Sequence, residues 1–183
     1  MLLVAAAVGG LLAGLAAGGS LHALLRLRLR WPLVGLAALA VRLLGMFGPL
    51  AASPLTPFLF PASLAALLVW TLWHRQVLRG AWVVALGLSM NLVVVLANGG
   101  RMPVAGAAVA SSSGLARHGV WGQYLLSTSM TRAPWLGDWL QAPPPLHTVL
   151  REVYSPGDLV VCFGLALVFF FATRSQAPVS VRF

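Results

Sequence analysis

What most limits the fold of this chain is where its charges are missing. Residues 2–19, 58–73 and 81–97 carry no charge, and the apolar runs 32–50 and 156–173 carry one each, Arg42 and Asp158. A helix needs about 20 apolar residues to cross the hydrocarbon core of a bilayer, within a range of roughly 17–25. Each run therefore predicts a spanning helix. The 58–73 run is short, with Pro61 tolerated in its first turn. The chain is 60% hydrophobic and 8% charged, against roughly 25% charged residues in a soluble domain. Lipid can cover that apolar surface, whereas a soluble core of this size cannot. The expected fold is an all-α integral membrane protein, one domain over residues 1–183. It is a five-helix transmembrane bundle with an outer re-entrant or interfacial lid segment over residues 99–155.

The charges that do occur sit in the gaps. All twelve basic residues are Arg and the net charge is +9. The missing Lys is attributed to coding bias rather than to a need for bidentate phosphate contacts. A nucleic-acid binder gathers its cations on one face of a folded domain; these are dispersed between apolar runs, so no nucleic-acid partner is expected. Five crossings place Arg26, Arg28, Arg30, Arg75, Arg79, Arg174 and Arg182 on one side with no acid. The other side holds Arg101, Arg117, Arg132, Arg151 and the acids Asp138, Glu152 and Asp158. By the positive-inside rule the first side is cytoplasmic, with the N-terminus outside and the C-terminus inside. The Arg cluster follows the first apolar run instead of preceding it, so that run is read as a retained helix, not a cleaved signal. Trp31, Trp73 and Trp82 fall at one interface and Trp121, Trp135 and Trp139 at the other, where Trp is favoured.

Residues 99–155 are too long for a turn and too apolar for a disordered tail. "PVAGAAVASSSGLARH" and "VWGQYLLSTSM" each read as a short helix on or in the membrane. "QAPPPLH" must be extended. The stretch "NGGRMPV" stops the fourth helix: Asn98, Gly99 and Gly100 accept the left-handed conformation of a C-cap, and Pro103 forbids continuation. Arg101 sits beside the negative end of that helix dipole. A break of this kind could instead expose carbonyls and a fixed cation to a ligand. "SPGD" opens the fifth helix as a capping box, with Ser155 at the N-cap and Asp158 at the third position. An Arg101–Asp158 ion pair is expected to tie the fourth and fifth helices.

Arg42 lies ten residues into its helix, about 15 Å deep at 1.5 Å per residue. A charge there must face the bundle interior and find a partner. Asn91 sits at similar depth, so the two are expected to form a polar layer. That layer either receives an anionic group or only fixes helix register. Gly10, Gly14 and Gly18 form overlapping GxxxG units that license close packing, within the chain or on another subunit. Cys162 is alone in an apolar run and is read as a small buried hydrophobe. The four histidines lack metal spacing, and there is no phosphate loop or nucleophile elbow. No catalytic residue, metal or cofactor is expected. Asp138 and Asp158 could share a proton as an acid pair does.

"NGGRMPV", "WLGDWLQAPPP" and "SPGDLVVCFG" together resemble a bacterial family of small multi-pass membrane proteins known only as a domain of unknown function. On that pattern Asn91, Asn98, Gly99, Gly100, Met102, Pro103, Gly137, Asp138, Gly157 and Asp158 are motif positions. The Pro-Pro-Pro run is longer than the family pattern. The resemblance implies a bacterial cytoplasmic-membrane protein and no established activity. The leading expectation is a protein binding or transporting a lipid-like or small anionic ligand, with candidate residues Arg42, Asn91, Asn98, Arg101, Asp138 and Asp158. The alternatives are an accessory subunit docked on a membrane partner or a second copy, and an aspartate-dependent intramembrane hydrolase.

Overall fold

The computed structural model describes residues 2–47, 53–106, 119–141 and 153–174. Among these are six helices: α1 (Leu2–Ala16), α2 (Leu21–Leu25), α3 (Pro32–Phe47), α4 (Thr56–Trp73), α5 (Ala81–Ala97) and α6 (Pro156–Arg174). Short strands follow α5: β1 (Met102–Val104), β2 (Val120–Trp121), β3 (Tyr124–Leu126), β4 (Leu140–Gln141) and β5 (Val153–Tyr154). The chain is mostly helical with a small β layer, so the all-α expectation is corrected. Two helices, α4 and α6, are long and apolar enough to cross a membrane, and α1, α3 and α5 are shorter apolar helices.

The helix ends follow their local chemistry. α1 stops at Ala16 rather than at residue 19, because Gly18 turns the chain at φ 85°. α3 ends at Phe47, and residues 48–50 lie outside the described residues. α4 begins at Thr56, two residues before the expected start, with Pro57 in its first turn. α5 spans Ala81–Ala97 as expected, and the Gly100 N–H closes its end on the Val95 carbonyl at 2.9 Å. α2 was not anticipated; the Ser20 hydroxyl caps it by accepting from the Ala23 N–H at 3.2 Å.

The helices pack side by side in the order α1, α6, α5, α4, α3. Close approaches set their directions. A side chain at Gly10 would collide with the backbone of Ala166, and one at Gly14 with Thr173 and Phe170. Residue numbers rise together along this contact, so α1 and α6 are parallel. Gly87 faces Gly157 and Val161, whereas Gly164 faces Val84, so α5 and α6 are antiparallel. Gly100 abuts the Pro57 carbonyl, the group that Pro61 leaves without its helical N–H donor. α1, α4 and α6 thus run one way, and α3 and α5 the other. Gly18 has nothing within 4 Å; it is a turn residue, and the expected third packing position is withdrawn.

The lid segment departs furthest from expectation. "VWGQYLLSTSM" is a β-hairpin, not a helix. Val120, Trp121, Tyr124 and Leu125 are strand formers, and Gly119 and Gly122 adopt φ 67° and 57° at the turns. β3 pairs antiparallel with β2 and parallel with β1, aligning Met102 with Tyr124 and Val104 with Leu126. "PVAGAAVASSSGLARH" therefore opens as strand; its residues 107–118 lie outside the described residues, as do 142–147 of "QAPPPLH". β4 pairs with β5. The β layer covers the ends of α5 and α6 where α5 stops and α6 starts.

The core joins that layer to the helices. Phe60, Leu64, Val84, Leu88, Val94, Val95, Met102, Leu136 and Val161 form one buried cluster. Outside it the apolar faces are bare: Leu33 is 76% exposed, Phe58 73% and Val4 64%. At the end away from the β layer, buried His74 accepts the Arg30 N–H on Nε2 at 3.0 Å. Its Nδ1 therefore carries the proton and donates to the Trp70 carbonyl at 2.8 Å. The Trp70 indole N–H in turn bonds the carbonyls of Arg30 and Trp31, each at 3.1 Å. This clamp fixes the entry to α3.

Gly10→Leu should destabilise the protein by about 1–3 kcal/mol through overpacking against α6. Gly9→Leu, with nothing within 4 Å of a side chain there, should not. Thermal melting in mild detergent checks the pair.

Candidate functional site

The site grows from the N-terminus of α6. Ser155 and Asp158 cap it reciprocally: the Asp158 N–H donates to the Ser155 hydroxyl at 2.9 Å, and the Ser155 N–H donates to Asp158 Oδ2 at 3.2 Å. This is the capping box that "SPGD" predicts. It leaves Asp158 Oδ1 facing α5, where Asn91 Nδ2 donates to it at 2.8 Å. The Ser155 hydroxyl closes the ring by donating to Asn91 Oδ1 at 2.9 Å. Asn91 is 1% exposed and Ser155 fully buried. A side chain at Gly157 would strike Asn91 Oδ1, so that glycine is what lets Asn91 reach the cap.

Arg42 enters from α3. Its Nη2 lies 3.6 Å from Asp158 Oδ1, and its guanidinium carbon 5.8 Å from the Phe60 ring centre. The ion pair expected between Arg101 and Asp158 is corrected: Asp158 pairs with Arg42. The helix order explains this, since Arg42 projects across from α3 while Arg101 leaves α5 into β1. Arg42 and Asn91 do share a layer, joined through Asp158. The layer lies at the first turn of α6 and inside α3 and α5, where Arg42 and Asn91 are each the eleventh residue of their helix.

Asp138 lies in the β layer above. Its N–H donates to the Pro103 carbonyl at 2.8 Å, and its own carbonyl accepts from Ala105 at 2.9 Å. Gly137 makes this docking possible by lying against Pro103. The Asp138 side chain is 7% exposed, and its Oδ1 has no hydrogen-bond partner among the described residues. Burial, and then the negative charge of Asp158, push its carboxyl well above the usual range, with Arg42 opposing. Tyr124 shares this environment. Burial and the charge of Asp138 raise its phenol to about 12, against the hydrogen bond that Gln123 Nε2 donates to it at 3.0 Å and against Arg42.

Asn98 and Arg101 play other parts. Both amide protons of Asn98 are used, on the carbonyls of Val94 and Arg132, each at 2.8 Å. Its Oδ1 accepts from the Arg132 N–H at 2.9 Å. Asn98 is therefore a latch between the end of α5 and the loop carrying Asp138. Arg101 has its Nε buried without a partner among the described residues, as does Gln123 Oε1. Gln123 and Tyr124 were missed in the sequence because their segment reads as helix; His74 carries no motif that singles it out. Among the described residues, no three His, Cys, Asp or Glu side chains gather as metal ligands would.

The three motif stretches thus converge: "NGGRMPV" docks "WLGDW" through Pro103 and Asp138, and both lie over the "SPGD" cap. A profile of one family matches residues 26–170, which contain all three. The chain belongs to DUF5317, a family of unknown function. No curated protein matches this DUF5317 chain, and no solved structure does.

A raised carboxyl has a defined pH signature. The folded state keeps the Asp138 proton after the unfolded chain has lost its own. Stability from this group is full below the usual Asp range and falls as pH rises toward the higher folded value. Asp138→Asn should remove that loss. It should raise the melting temperature at pH 7 and leave it nearly unchanged at pH 4.

Proposed function

We propose that the chain is a five-span membrane protein of the bacterial cytoplasmic membrane that binds or transports a small anionic or lipid-like ligand beneath its β layer. The observation carrying this is Arg42. It is loosely paired to Asp158 at 3.6 Å and makes no hydrogen bond among the described residues. A guanidinium has five N–H donors in a planar fork suited to carboxylate or phosphate. Burial and the charge of Asp158 raise the carboxyl of Asp138 in the layer above, which lowers its opposition to an anion. An anionic group bound at Arg42 would share the cation with Asp158, and the β layer would exclude water. Asn91 and Ser155 hold Asp158 in place in either state.

The alternating helix directions support five crossings. They bring Arg26, Arg28, Arg30, Arg75, Arg79 and Arg174 to one end and the β layer to the other, as the positive-inside orientation requires. In a Cys162→Ser background, a cysteine at Thr128 should react with an impermeant thiol reagent from outside intact cells. One at Arg75 should react only after the membrane is opened.

Native mass spectrometry in mild detergent tests the ligand. Wild-type protein should retain an anionic lipid or small anion. Arg42→Leu/Asp158→Asn, which removes both charges together and strands neither, should arrive bare. Retention by this variant would make the pair a device for helix register. A stoichiometric partner chain would favour an accessory subunit.

A further inference from the structure

A polar cavity lies at the end of the bundle away from the β layer, where α1 and α6 both stop. It measures about 380 Å³ and its walls include His22, Arg26 and Arg174, with no acidic residue among them. We infer that this cavity binds a phosphate-bearing headgroup of the adjoining membrane leaflet.

The cavity is built rather than incidental. The Ser20 N–H donates to the Thr173 carbonyl at 2.8 Å, pinning the entry of α2 to the end of α6. Thr173 is 1% exposed, and both Gly14 and Gly19 lie against it. His22 and Arg26 are one helical turn apart on α2, so their side chains share a face. Arg174 closes the other wall, its guanidinium carbon 5.4 Å from the Phe170 ring centre. These cations are therefore held on two fixed elements.

The ligand chemistry follows from what the walls offer. Two guanidiniums and an imidazole suit phosphate oxygens. The volume exceeds what a lone phosphate ion needs and falls in the range of small-molecule sites, roughly 300–1,000 Å³. The position is the end of two apolar helices, the level at which lipid headgroups lie. A free phosphate compound shares the same chemistry, so the two sources are separated by experiment. The inference stands on residues at the other end of α6 from Asp158 and does not depend on the role of the Arg42 site.

The experiment titrates purified protein in mild detergent with phosphatidylglycerol, with phosphatidylcholine and with inorganic phosphate, reading bound mass by native mass spectrometry and melting temperature. Wild-type protein should bind phosphatidylglycerol more tightly than phosphatidylcholine. Arg26→Gln/Arg174→Gln should weaken that binding roughly 30-fold, at about fivefold per arginine facing an anionic lipid surface. Arg42→Leu/Asp158→Asn should leave this binding intact. Ala23→Phe fills the cavity without changing any charge and should weaken binding as well, which separates a site from general attraction to a basic surface. Stabilisation by inorganic phosphate equal to that by the lipid would uphold the site and assign it to a soluble phosphate compound. Unchanged phosphatidylglycerol binding in folded Ala23→Phe would overturn the inference, whatever the arginine variant does.

Discussion

The bond between Asn91 and Asp158 is the point on which the other features depend. Asn91 is buried in α5, and an unpartnered amide there would cost the desolvation of several polar atoms. Asp158 and Ser155 satisfy it, and they can do so only because Gly87 and Gly157 let α5 and α6 touch backbone to backbone. The same carboxylate is a helix cap, an acceptor for Asn91 and the counter-ion of Arg42. One acid thus fixes the start of α6, its spacing from α5 and the position of the cation from α3. A charge with so many fixed neighbours has little freedom to move, and this rigidity lets it act on Asp138 in the layer above.

How much of this could be read in advance depended on how local each feature is. The helices were legible because each is a long apolar run with at most one charge. The stop at Asn98-Gly99-Gly100 and the Ser155–Asp158 cap were legible because their partners lie within five residues. The partner of Asp158 was not. Depth along a helix can be counted in a sequence, but the neighbouring helix cannot, so Asp158 was matched with Arg101 and Arg42 with Asn91 alone. The β layer was illegible for a related reason. β1 pairs with β3 in parallel, across residues 105–123, and no turn signal announces such a pairing. Tyr124 and Gln123 belong to the site only through it.

The two ends of the bundle use opposite electrostatic means. Near the β layer Asp158 is paired with Arg42, and burial raises the carboxyl of Asp138. At the other end Arg26, Arg28, Arg75, Arg79 and Arg174 are exposed, and the cavity there has no acidic residue in its walls. The two polar regions thus lie at opposite ends of one set of helices.

The parallel contact of α1 with α6 has a consequence for assembly. α1 is made early, yet its buried face, Gly10 and Gly14, has no companion until α6 has been synthesised. In the interval α1 lacks its packing partner, while α3, α4 and α5 have theirs among near neighbours in the chain. Docking of α6 is then a single closing event. It completes the α1 interface, brings Asp158 to Asn91 and Arg42, and forms the cavity at the far end, so neither polar region exists before the bundle is whole.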